Sequence, residues 1–345
     1  MDFFTIYLPV AEMEFNTLLL VAIGFCVGTL GGFFGVGGAW IVTPALNIFG
    51  FKMAFAIGTD LAHIFGKSII ATKKHSGLGN VDWRLGVFSI VASVIGIEFG
   101  KRLVLALERA GNVGEVVRWV YIVFLFGLGS YMVYDYVTAM KRLRQDGATA
   151  PSESPKEYMS PAAVKLHQIN LPPRISLPTS GIKQISFWVV FGIFLITGFL
   201  SGFMGVGGGF VLLPALIYLV GCPTTVAVGT SLLSVCFMAG YGCFTYSMSG
   251  RTELIAAVIM LIGAAVGAQI GVLATRYIRG YGIRILFAVM ILLAGFSVAL
   301  KQAQSLFDLT LAGTLAGYSV MGAAGGMTLL IFIRLLMGIM AEKSR

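Results

Sequence analysis

Three ionisable residues share one apolar stretch of the chain. Asp60, His63 and Lys67 stand in GTDLAHIFGKSIIATKK at separations of 3, 4 and 7 residues, so they fall on one face of a helix. A carboxylate, an imidazole and an amine in that order can relay a proton, pair with one another, or hold a charged solute. Imidazole titrates near pH 6.5, which suits it to carry a proton. Thr59 opens the same stripe and Ser68 follows Lys67. The plainer alternatives are an internal Asp60–Lys67 pair with His63 as a bystander, or an Asp60 at a membrane interface. A second carboxylate, Glu98 in VIGIEFGKRL, either joins this cavity as a proton carrier or pairs with Lys101 or Arg102 one turn on. Asp60 and His63 with Glu98 would also make a sparse cation-binding set, but no HxxxH or cysteine cluster supports a metal. The cysteines, Cys26, Cys222, Cys236 and Cys243, lie in or beside apolar segments without a CxxC. Buried apolar thiols are the plain reading; Cys236 and Cys243, seven apart, would permit a sulfur-transfer relay.

Such groups acquire meaning from their medium. The chain has 345 residues, 57% hydrophobic and 11% charged, with a mean hydropathy of +0.91. A soluble domain carries about 25% charge. An ordinary soluble enzyme and whole-chain disorder are therefore excluded, and a polytopic membrane protein remains. The apolar runs are long and glycine is abundant, with 45 residues, which favours packed helices over a β-barrel. In a bilayer, ionisable groups are costly and by default mark a pathway or proton relay. The net charge of +9 sits mostly between apolar runs, as expected for cytoplasmic loops and anionic lipid rather than nucleic acid. No cofactor motif appears: neither glycine cluster spells GxxxxGK[ST]. The N-terminus, with Asp2, Glu12 and Glu14, lacks the basic start of a cleavable signal.

Apolar runs of membrane-spanning length lie near 16–34, 52–72, 83–107, 116–138, 184–204, 224–248, 253–275, 282–300 and 306–340, with shorter ones at 39–51 and 209–221. The stretch 139–183 holds six of the ten prolines and reads as a flexible extramembrane linker. An internal repeat organises the rest. GTLGGFFGVGGAWIVTPAL (28–46) matches GFLSGFMGVGGGFVLLPAL (198–216) at 11 of 19 positions. Gly58-Thr59 then pairs with Gly229-Thr230, Gly96 with Gly267, Gly100 with Gly271, and Glu98 with Gln269. The expected organisation is a first transmembrane repeat at 12–138, the linker at 139–183, and a second repeat with a terminal helix at 184–340. With the N-terminus outside and 39–51 counted as a short pass, inside loops hold 15 Lys and Arg residues against 6 outside. A parallel arrangement reaches only 12 against 9, so the positive-inside rule favours inverted halves.

In each half a GVGG break interrupts an apolar run: Gly35, Gly37 and Gly38, then Gly205, Gly207 and Gly208. Glycine opposes helix by about 1 kcal/mol against alanine. Unwound backbone at membrane depth must be satisfied by protein, water or ligand. Short helices beginning after the breaks would aim free N–H groups at an anion; close packing of helices through glycine is the competing reading. In the second half Thr230, Ser231, Ser234 and Met238 replace the charged stripe.

Two copies of this glycine-rich element with its Pro-Ala-Leu, each followed by Gly-Thr-[Ser/Asp] and a GAxxGAxxG-like segment, resemble the sulfite exporter TauE/SafE family, also described as toluene-sulfonate uptake permeases. The resemblance covers roughly 16–138 and 184–300. It implies a permease rather than an enzyme, built from duplicated halves in the bacterial inner (plasma) membrane. It implies as substrate a small sulfur-containing anion such as sulfite or an organosulfonate. The chain departs from the family pattern in its long linker and in Asp60, His63 and Lys67. On this reading the six break glycines, Thr59, Lys67, Thr230 and Ser231 bind substrate, and Asp60, His63 and Glu98 couple protons. A cation carrier using Asp60, His63 and Glu98, or a membrane thiol protein using Cys236 and Cys243, are the alternatives.

Overall fold

The computed structural model describes residues 4–36, 39–145, 161–169, 171–205, 207–278, 281–307 and 309–343. Gly37, Gly38 and Val206 of the glycine breaks, and 146–160 and Asn170 of the linker, lie outside the described residues.

A hairpin of β1 (Thr5–Leu8) and β2 (Met13–Asn16) leads into α1 (Thr17–Phe34), α2 (Ala39–Ile48), α3 (Met53–Gly77), α4 (Trp83–Arg109) and α5 (Val113–Gln145). After α6 (Pro161–His167), a second hairpin of β3 (Arg174–Leu177) and β4 (Ile182–Ser186) leads into α7 (Phe187–Met204) and α8 (Gly209–Ala215). A π-helical turn (Leu216–Val220), α9 (Thr224–Ser247), α10 (Leu254–Ala274), α11 (Tyr281–Phe307) and α12 (Thr310–Lys343) complete the chain. Eight of the described helices are long and apolar enough to cross a membrane. The 27-residue α4, expected from sequence as a span, is not among those eight. The protein is an all-α polytopic membrane protein.

The halves meet along two glycine seams. A Cβ on Gly28 of α1 would lie 2.5 Å from the Ala264 Cα of α10, and one on Gly267 would lie 2.2 Å from the Phe25 carbonyl oxygen. The second seam repeats these contacts between α7 and α4. A Cβ on Gly198 would lie 2.7 Å from the Ser93 Cα, and one on Gly96 would lie 2.2 Å from the Leu195 oxygen. No side chain fits such approaches, so the repeated small residues set the helix spacing. Between the seams, α3 and α9 pack side by side, with Gly58 against Arg251 and Gly229 against Asn80. The start of each helix thus lies beside the end of the other. Two backbone links follow the same exchange: Glu253 N–H donates to the Thr59 hydroxyl at 3.0 Å and Asp82 N–H to the Thr230 hydroxyl at 2.9 Å.

The hairpins belong to the repeat as well. Val10 and Ala11 N–H groups donate to the Glu253 carboxylate at 2.7 and 3.1 Å. The Ser180 hydroxyl donates to the Asp82 carboxylate at 2.8 Å. Glu253 and Asp82 are the N-caps of α10 and α4. Residues 161–169 and 171–183, expected as flexible linker, therefore differ from that expectation. Buried Ala163 and Leu177 anchor them, and the His167 ring lies 2.9 Å from the Val220 carbonyl.

Candidate functional site

The breaks sit at the centre of the bundle. Helices α1 and α7 end alike: Gly35 at φ 74° and Gly205 at φ 75° adopt the left-handed conformation that favours glycine. Each then lies against the facing central helix, Gly35 on Val228 of α9 and Gly205 on Ile57 of α3. The two breaks also touch each other, since a Cβ on Gly209 would fall 2.5 Å from the Val36 oxygen. Ser231 of α9 sits between the carbonyls of Gly35 and Val228 and ties the first break to the central helix.

The charged stripe lies inside the protein, away from lipid. Asp60 and His63 have no exposed surface and Lys67 has 2%. One Asp60 oxygen, Oδ2, accepts the Thr43 N–H at 3.0 Å and the Thr43 hydroxyl at 2.9 Å. Thr43 stands in the first half of α2, where helix N–H groups favour negative charge. The other oxygen, Oδ1, is 3.7 Å from His63 Nδ1, too far for a hydrogen bond. Among the described residues, Asp60 Oδ1, both His63 nitrogens, Lys67 Nζ, Ser68 Oγ and Thr72 Oγ1 are buried without hydrogen-bond partners. Among the described residues Lys67 makes no ion pair either, although Asp60 is close enough to act on it electrostatically. The internal Asp60–Lys67 pair weighed from sequence is not formed. An unmet buried polar group costs about 1–3 kcal/mol, more when charged, so a continuous row of them on one helix face needs a purpose.

The row is connected to the second break. The Tyr121 hydroxyl of α5 donates to the Met204 carbonyl at 2.8 Å, immediately before Gly205. It also reaches the Thr43 hydroxyl and feels the Asp60 charge. Ile64, one turn before Lys67, packs on Gly207, and Met238, the repeat counterpart of Lys67, packs on Gly208. The helix that carries Asp60, His63 and Lys67 thus packs on the second break through Ile57 at Gly205 and Ile64 at Gly207, while Ser231 of α9 holds Gly35 of the first.

Three expected site residues lie elsewhere. Thr59 and Thr230 are buried, but their oxygens hold the loops before α10 and α4. Glu98 pairs with Arg102 at 2.9 Å on a partly exposed face of α4, the membrane-edge alternative foreseen for it. Among the described residues no three His, Cys, Asp or Glu side chains gather in a metal-binding group, and all four cysteines are free.

Sequence reasoning missed Thr43 and Tyr121. Thr43 stands where the second half has Leu213, so the asymmetry beside each Pro-Ala-Leu was the available signal. It also missed a matched pair at the seams. His75 Nε2 lies 3.1 Å from the Gly32 carbonyl, and the Tyr246 hydroxyl donates to the Gly202 carbonyl at 2.7 Å.

Known proteins place this arrangement. The family model for the sulfite exporter TauE/SafE matches residues 20–298. A probable membrane transporter protein of Xylella fastidiosa is 29% identical over 258 residues, covering 74% of this chain and 82% of its own. One from Methanocaldococcus jannaschii is 28% identical over 217 residues, covering 60% of this chain and 65% of its own. One from Bacillus subtilis is 23% identical over 286 residues, covering 81% and 95%. No solved structure matches the chain. All three relatives carry the name probable membrane transporter protein, and the eight spans fit a membrane transporter. The chain belongs to the sulfite exporter TauE/SafE family of membrane transporters.

Proposed function

We propose that the protein is a secondary transporter for a small sulfur-containing anion, sulfite or an organosulfonate, moved together with a proton. The observation that carries this reading is Lys67: a buried amine with neither hydrogen bond nor ion pair among the described residues, one turn from the break at Gly207. A cation there is stabilised when an anion arrives. Backbone N–H groups at the two breaks, from Gly35, Gly37 and Gly38 and from Gly205, Gly207 and Gly208, complete the anion's shell. Ser231 keeps the first break in place.

Asp60 accepts from Thr43, which Tyr121 also reaches, and acts on Lys67 only electrostatically, so an anion passing it meets a carboxylate. A protonated Asp60 removes that repulsion, with His63 as its nearest proton partner. Coupling follows: the anion moves when the proton is aboard. The halves are inverted with respect to the membrane, and the exchanged ends of α3 and α9 support this reading. Rocking one half against the other along the glycine seams would alternate access. The loops 73–84, 139–183 and 276–284 face the cytoplasm of a bacterial cell, by the positive-inside rule.

Purified protein in liposomes tests the function. Uptake of sulfite, thiosulfate, organosulfonates, carboxylates and divalent metals is measured side by side. Flux of a sulfur-containing anion, lost in Lys67→Met, is expected. Metal flux without anion flux would replace this reading with a cation carrier.

A further inference from the structure

A second basic locus lies outside the buried stripe. Between α2, α5 and α11 a small cavity of about 10 Å³ is lined by Pro44, Asn47, Met53, Arg118, Tyr121 and Lys301, among others, roughly the room of one water. Its rim carries two cations and its inner wall is Tyr121, whose ring is fully buried. Arg118 and Lys301 are near enough to repel each other. Their hydrogen-bond partners are neutral. Arg118 reaches Gln302 at 2.6 Å, Ser305 at 3.3 Å and Asn47 at 3.4 Å; Lys301 reaches Gln304 at 3.1 Å. Among the described residues neither forms an ion pair. The carboxylate that acts on Arg118 is Glu115, exposed on the same helix.

Two partly buried like charges held together by amides and a hydroxyl are an unfavourable arrangement by themselves. Planar guanidinium and ammonium donors suit an oxyanion, which enters once the Arg118 and Lys301 side chains swing apart and widen an opening now the size of one water. The cavity also leads somewhere. Its wall residue Tyr121 is hydrogen-bonded to Met204 beside the second break and reaches Thr43, which holds Asp60. The cavity lies between the start of α5 and the last third of α11, towards the end of the bundle opposite the basic loops.

We infer that Arg118 and Lys301 form an antechamber site for the transported oxyanion at the external mouth, with Tyr121 as the partition between it and the buried Lys67 site. This deepens the proposed function and rests on it. Oxyanion waits on the two cations. Movement of Tyr121 with the second break then opens its way past Thr43 and a protonated Asp60.

The test combines equilibrium binding and flux on the full-length protein, with sulfite, thiosulfate and methanesulfonate as probes. Variants are Lys301→Gln, Arg118→Gln with Lys301→Gln, the charge-keeping Arg118→Lys, and Lys67→Met. The expected result is a KM for the external face raised about tenfold in the double variant, which removes both charge interactions with the anion. Vmax stays within about twofold of wild type. Lys301→Gln alone shows part of the shift, and Arg118→Lys keeps the wild-type KM. Lys67→Met loses flux yet retains the anion binding that the double variant weakens. Flux with an unchanged KM in the double variant overturns the antechamber and leaves the transport function standing. Anion binding lost in the double variant, with no flux in wild type, overturns the transport function and leaves an anion site. Neither binding nor flux overturns both. A KM raised in Arg118→Lys as far as in the double variant would assign Arg118 to holding α5 on α11 and overturn the antechamber.

Discussion

At the scale of single residues, the proposed mechanism makes Lys67 the point where stability and function oppose each other. The second half carries Met238 at the same repeat position, buried and well packed on Gly208. Lys67→Met therefore replaces an unpaired buried cation by a side chain the fold already accommodates. Replacing buried charge by apolar volume is often neutral or stabilising, so the thermal midpoint should hold or rise while anion flux falls by about two orders of magnitude, the scale of losing a charged contact of about 3 kcal/mol. A midpoint that drops with the flux would make Lys67 structural. Asp60→Asn makes a second, separate test. The amide keeps an oxygen for the two Thr43 donors and cannot ionise. Flux should survive but lose its response to a pH gradient, read by uptake with and without an imposed gradient. Unchanged gradient dependence would remove Asp60 from proton coupling. The stripe itself was legible in the sequence, because three ionisable residues at helical spacing stand out in an apolar run. Thr43 and Tyr121 were not. A threonine in an apolar helix and a tyrosine in a membrane span are ordinary residues until tertiary packing brings them to Asp60.

At the scale of elements, glycine has two different duties, and the spacing of contacts separates them. Gly28 and Gly198 have no room for a Cβ, whereas nothing lies within 4 Å of one placed at Gly127 or Gly192. Gly28→Val and Gly198→Val should each prise a seam apart and abolish monodisperse protein in gel filtration. Gly127→Ala and Gly192→Ala should leave folding intact and add up to about 1 kcal/mol through helix propensity. Equal behaviour of the two sets would deny the seams their role. The paired seam glycines were readable from the repeat, since Gly96, Gly100, Gly267 and Gly271 align. The terminal hairpins were not, although Leu8-Pro9 and Leu177-Pro178 mark the same bend in both. Four- and five-residue strands are too short to show a period, and a Pro- and Ser-rich neighbourhood masks two buried leucines. The segment 161–183 was misjudged for that reason. Composition reports average polarity, while one apolar side chain and one N-cap carboxylate suffice to pin a hairpin.

At the scale of the whole molecule, two homologous halves exchange equivalent contacts across a central helix pair. Hairpin tip meets N-cap carboxylate twice, glycine seam meets glycine seam twice, and each break meets the opposite central helix. What breaks this symmetry is the charged stripe on α3 against the neutral one on α9. The proposed mechanism thereby puts its proton- and anion-responsive group in only one of the two halves. Topology gives a check at this scale. In a background without the four native cysteines, single cysteines at Gly79 and Gly250, both in tight turns with open space around them, should label from opposite faces of the membrane. Labelling from the same face would make the halves parallel.

The most direct measurement of proton-coupled anion transport uses liposomes loaded with a pH-sensitive dye. The anion that the uptake panel identifies is added outside wild-type protein and outside Lys67→Met. Wild type should acidify the lumen in step with anion uptake, and Lys67→Met should do neither. Anion uptake without acidification, or acidification that persists in Lys67→Met, would contradict a mechanism in which the buried Asp60–Lys67 stripe carries both.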